Sequence, residues 1–135
     1  MGAAESEAIS ELAKTTPLIL VITATTAAAH NLASELPFFL SDDREILLVP
    51  DWETLPYDNF SPHEDIVSDR LKALSRLPNL KSGVVIVSVT TLMHRLAPRH
   101  FIDAGVLSIK TGETIKAKQF VRHLNRNGYR SVDSV

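Results

Sequence analysis

No cysteine occurs in the 135 residues, so neither a disulfide framework, a thiolate metal site nor a thiol nucleophile can be built from them. Nothing points to an oxidising compartment, and the chain reads as intracellular and cytoplasmic. Long apolar runs are missing too. Leu18 to Ile22 is the longest, far short of a membrane span, and Met1 to Glu7 lacks the basic and then apolar order of an export signal. Gly2 and Ser6 fit a loose myristoylation pattern, but their acidic neighbours offer a membrane no attraction, and no membrane partner is expected. Glycine is scarce, with five in all and none between Thr23 and His30.

Charge is present but unevenly placed. The net charge of −2 divides into 8 basic and 14 acidic side chains over residues 1–104 and 6 basic and 2 acidic over 105–135. A phosphate backbone calls for clustered Lys and Arg, so the larger, acidic part is a poor nucleic-acid surface. The basic tail, with Lys116, Arg122, Arg126 and Arg130 as its candidate contact surface, suits either solvent or an acidic partner.

The apolar pattern alternates between strand and helix. Ala8, Ile9, Leu12 and Ala13 share one face of a short helix over 5–14, stopped by Thr15-Thr16-Pro17. Leu18 to Ile22 is a β-branched run of the kind found in strands covered on both faces. Thr25 or Thr26 then caps a helix that Pro37 ends or kinks, and Glu45 to Val49 is a second strand. Ser61 at the cap, Pro62 at the first position and Glu64 in capping-box register open a third helix, which Pro78 terminates. Val84 to Val89 is a third strand, and Thr90 caps a short helix ended by Pro98. Phe101 to Gly105 reads as an irregular connection, Val106 to Ile109 as a strand, and Glu113-Thr114 as the opening of a helix closed by Asn127-Gly128. Such alternation predicts an α/β fold, a parallel sheet flanked by helices, over residues 1–104, with the truncated start of a second α/β unit over 105–135.

The first strand-to-helix turn, Thr23 to His30, is where a nucleotide-binding α/β protein carries its phosphate loop. Neither GxGxxG nor GxxxxGK(S/T) is there, so the backbone cannot wrap a phosphate and no lysine supplies charge. No catalytic group or cofactor is assigned. His63, Glu64, Asp65 and Asp69 could be drawn as a metal site, but carboxylates in a first helical turn already offset the helix dipole and no metal is assigned to them. The remaining histidines, at 30, 94, 100 and 123, are scattered and read as surface or packing residues. Trp52, Leu55, Pro56, Tyr57 and Phe60 make an aromatic loop among Asp51, Glu53 and Asp58, suited to covering the sheet edge or meeting a partner. A free-standing nucleotide-binding or hydrolytic enzyme using the Trp52 loop as a lid is the alternative reading.

Asp51-Trp52-Glu53-Thr54-Leu55-Pro56-Tyr57-Asp58, then Phe60-Ser61-Pro62-His63, Asp65-Ile66, Ser68 and Arg70-Leu71, resembles the signature near the amino end of bacterial transcription-repair coupling factors. The likeness runs on through Leu77-Pro78, Thr91-Leu92-Met93 and Gly128-Tyr129-Arg130. It implies a module similar to the damage-verifying helicase subunit of nucleotide excision repair: a degenerate RecA-like domain without its phosphate loop, interrupted near residue 105 by an insert that binds the damage-recognition ATPase. The chain would later return to finish the first domain. On this resemblance most of the ATPase-binding site lies beyond Val135. ATP, RNA polymerase and DNA are met only through domains outside this chain, and the remaining partners are other domains of the same protein. Compared with the helicase relative, the Trp52 loop is shorter and acidic.

Overall fold

Three apolar runs pair as one parallel sheet in the structure, a computed structural model that describes residues 3–41, 43–54, 64–105, 109 and 111–126. The strands are β1 (Leu18–Thr23), β2 (Ile46–Val49) and β3 (Gly83–Ser88), in the order β1-β3-β2. Leu20 and Leu47 flank Val85 in register, and Ile22 and Val49 flank Val87. The expected α/β fold with a parallel sheet and flanking helices is therefore present. Helix α1 (Ala3–Thr15) and α2 (Thr26–Glu35) belong to one side of the sheet, where Ala13, Ile19, Ala29, Leu32, Leu36, Val84 and Ile86 form a core. On the other side α3 (Glu64–Arg76) lays Ala73 on Leu47, Val49, Val85 and Val87. Central β3 is buried along its whole length, which fits its unbroken apolar sequence.

Strand β1 departs from expectation. Its second face, Leu18, Leu20 and Ile22, is about half exposed, because α3 packs on Leu47 and Val49 of β2 and on Val85 and Val87 of β3. The first strand is thus covered on one face only. Helix positions shift as well. After α2, Pro37 gives a further 3-10 turn over Leu36–Phe38. Ser88, rather than Thr90, caps α4 (Val89–Met93), accepting from the Thr91 amide at 3.2 Å. Pro98 opens a helix where a stop was expected: its carbonyl accepts from the Phe101 amide at 2.9 Å, and α5 (Arg99–Gly105) replaces the irregular connection. Helix α6 (Ala117–Arg126) starts later than Glu113-Thr114, since the Lys116 carbonyl is the acceptor for Gln119 and Phe120. The Ser61-Pro62 cap, the Val106 to Ile109 strand except Ile109, and the Asn127-Gly128 stop lie outside the described residues.

Arg44 ties the amino-terminal layer together. Its guanidinium donates to the carbonyls of Ala13, of Thr16 at 3.1 Å and of Pro17 at 2.8 Å, which closes the end of α1 and fixes the entry to β1. Arg44→Ala should cost about 1.5–3 kcal/mol, as charge-assisted bonds to the carbonyls of Ala13, Thr16 and Pro17 are lost together. A urea midpoint shift with unchanged slope would measure it.

Candidate functional site

The carboxyl ends of all three strands meet at Asp51. Strand β2 stops at Val49, and Pro50 hands the chain to Asp51, whose carboxylate lies between the turns that leave β1 and β3. Its Oδ2 accepts from Thr26 Oγ1 at 3.3 Å and from Thr90 Oγ1 at 2.6 Å, while Oδ1 accepts from the Trp52 amide at 2.7 Å. His94 Nδ1 stands 3.6 Å from Oδ1. Burial alone would raise the carboxyl pKa. The hydrogen bonds from Thr90, Trp52 and Thr26, together with the nearby His94, outweigh it and hold Asp51 below the ordinary carboxylate value.

The first turn, where a phosphate loop would lie, has its polar groups committed elsewhere. Thr25 Oγ1 caps α2 by accepting from the Ala28 amide at 3.1 Å, and Thr23 Oγ1 donates to the Thr25 carbonyl at 2.9 Å. A fixed negative charge at Asp51 stands beside Thr26 at the start of α2, the end of the helix that would otherwise attract an anion. An open cavity of about 800 Å³ in front of these turns is lined by Thr26, His30, Asn31, Asp51, Glu53 and Thr90, among others. Two carboxylates on its wall disfavour a phosphate guest.

Trp52 leans on Arg70 of α3. The guanidinium carbon is 4.8 Å from the indole centroid, and Nη1 donates to the Pro50 carbonyl at 2.6 Å. Arg70 is 1% exposed, and its burial lowers the guanidinium pKa while Asp51 opposes that shift. The aromatic loop is therefore anchored at its start by two charged side chains. Glu53 next turns outward with a left-handed backbone, φ 57°.

Of the residues singled out from the sequence, Asp51, Trp52 and Glu53 stand at this site. Leu55, Pro56, Tyr57, Phe60, Ser61, Pro62 and His63 lie outside the described residues, as does Arg130. Lys116, Arg122 and Arg126 are exposed at and along α6. Asp69 is paired with Lys72 at 2.9 Å. Among the described residues no three His, Asp or Glu side chains gather as they would around a metal ion, and no helix is long and apolar enough to cross a membrane.

Sequence reasoning missed Thr26, Thr90 and His94 as site residues and gave Arg70 no structural role. A signal existed: Thr26, Asp51 and Thr90 each follow the end of a strand within three residues. In a parallel sheet those positions converge.

No protein-family model matches the chain. It is similar to the transcription-repair-coupling factor of Haemophilus influenzae, 41% identical over 133 residues that take in 98% of this chain and 11% of the relative. The Escherichia coli factor of that name is 40% identical over 136 residues, 99% of this chain and 12% of the relative. The Myxococcus xanthus factor is 30% identical over 138 residues, 96% and 11% respectively. The chain thus spans about a tenth of the length of these curated relatives.

Proposed function

Because the chain is homologous to the amino-terminal region of transcription-repair-coupling factors, we propose that it is a non-catalytic part of the module that recruits nucleotide excision repair to stalled RNA polymerase. Residues 1–104 serve in this reading as a degenerate RecA-like scaffold and residues 105–135 as the start of an inserted domain that meets the damage-recognition ATPase. The observation that carries it is the likeness along 98% of the chain, which includes the Trp52 loop. The site chemistry supports it physically. Where a working motor would hold a phosphate, Thr25 caps the helix and the Asp51 carboxylate places negative charge. The scaffold therefore acts by presenting surfaces, to the repair ATPase through the insert and to other parts of its own polypeptide through the sheet.

Immobilised damage-recognition ATPase should capture residues 1–135 weakly or not at all, since most of the contact surface belongs to the rest of the insert. A polypeptide extended through that insert should be captured strongly, and Arg122→Glu combined with Arg126→Glu should weaken the capture. Failure of the extended polypeptide to bind would contradict the recruiting role.

A further inference from the structure

Helix α6 carries cations and no acid to balance them. Lys118, Arg122 and Arg126 recur at every fourth residue, which sets them on one stripe in steps of about 6 Å along the helix axis. All three are exposed, and so are Gln119 and Asn125, which flank the stripe. The apolar positions Ala117, Phe120, Val121 and Leu124 fall on the opposite face. The exposed faces of α1 and α3 are built differently. Each holds an acid three residues before its lysine, Glu11 with Lys14 at 2.5 Å and Asp69 with Lys72 at 2.9 Å. No Asp or Glu occurs anywhere from Thr114 to Val132, so α6 has no such pair to form along its own length.

Like charges four residues apart weaken the helix that bears them. Lys116, whose carbonyl accepts the first helical bonds, and Lys118 also stand at the amino end, where the helix dipole disfavours cations. Arg126 in the last turn suits that dipole, but Lys116 and Lys118 do not. A row of negative charge from outside relieves both conflicts. We propose that the α6 stripe docks on the phosphate backbone of duplex DNA. A duplex carries one negative charge per about 1.7 Å of its axis, so each step of the stripe meets a phosphate whatever the base sequence. The face offers what phosphate oxygens accept, Lys and Arg charge with the Gln119 and Asn125 amides beside it. It has no aromatic residue on which the bases of a single strand would stack. Residues 1–104 are acidic on balance, which confines the DNA to this end of the chain. Such a contact goes beyond the recruiting role and adds to any DNA contact made by domains outside this chain.

DNA binding is read on residues 1–135, where capture by the repair ATPase is expected to be weak or absent, and Lys118 enters only this test, so the two readings fail independently. The measurement is fluorescence anisotropy of a labelled duplex of about 20 base pairs titrated with the chain. Three phosphate contacts should make binding about 40-fold tighter at about 50 mM salt than at about 200 mM. Lys118→Gln or Arg122→Gln removes one contact, and that ratio should fall to about 12-fold. Arg122→Lys keeps the charge and should leave the ratio unchanged, as should Lys72→Gln on the exposed face of α3. Absence of saturable binding at about 50 mM salt overturns the proposal. So does a salt ratio indifferent to Lys118→Gln and Arg122→Gln, or one lowered equally by Lys72→Gln. If poly-glutamate at the same charge concentration binds as tightly as the duplex, the stripe serves an acidic protein and the proposal is likewise overturned.

Discussion

Asp51→Ala is expected to lower the unfolding free energy by about 2–4 kcal/mol, among the largest effects of any single substitution outside the core. The substitution removes the acceptor for Thr26, Thr90 and the Trp52 amide at once and takes the countercharge away from buried Arg70. Trp52 is the sole tryptophan, so its emission reports the loss directly: the variant should be red-shifted even where far-ultraviolet circular dichroism shows the sheet intact. Asp51→Asn, which keeps an acceptor oxygen but not the charge, should lose less. The pH dependence follows from the lowered carboxyl pKa. Stability from this group is complete above the unfolded value, about 3.9, and is lost as pH falls through the lower folded value. Asp51→Asn should therefore flatten the acid limb of stability below about pH 4 and leave the neutral plateau uniformly lower. An acid limb of unchanged steepness in the Asn variant would show that other carboxylates dominate it.

Gly83→Ala is the second substitution with a large expected cost, about 3 kcal/mol or more. Gly83 opens β3 with φ at +140°, a conformation that side-chain-bearing residues rarely adopt. A Cβ there would stand 2.3 Å from the Glu45 carbonyl oxygen, backbone that cannot swing away. That oxygen accepts from the Val84 amide at 2.8 Å, and the Gly83 amide donates to the Pro17 carbonyl at 2.8 Å, so both ladders of the central strand start here. The clash must therefore be relieved by moving β3 against one neighbour. A denaturant midpoint within experimental error of the unsubstituted chain would mean that the β2 and β3 register differs from that described.

The strands were legible because Leu18 to Ile22, Ile46 to Val49 and Val84 to Val87 are apolar runs too short for helices and rich in β-branched residues. The cap of α2 was legible to within one residue, Thr25 or Thr26, because a hydroxyl before an alanine-rich segment suits that place, and Thr25 holds it. Pro98 misled because proline marks a helix start as readily as a stop, and only the carbonyl pairing with Phe101 distinguishes them. The Asp51 cluster was not legible. Its partners lie 25 and 39 residues away, and they converge only because β3 is inserted between β1 and β2. Arg70 hid for another reason. An arginine in an amphipathic helix reads as solvent-facing, yet position 70 shares its face with Ile66, Ala73 and Leu77 and goes inward with them. Leu18, Leu20 and Ile22 are about half exposed, so a run that reads as covered on both faces is well buried on one of them only.

In the proposed function the convergent strand ends, with Asp51 among them, are a structural tie and not a nucleotide site. Calorimetric titration of magnesium–ATP into the 135-residue chain tests it most directly. No saturable heat and no phosphate release are expected, with Trp52 emission unchanged throughout. Saturable binding in the micromolar range, or turnover, would contradict it and restore the reading of the Trp52 loop as the lid of an enzyme.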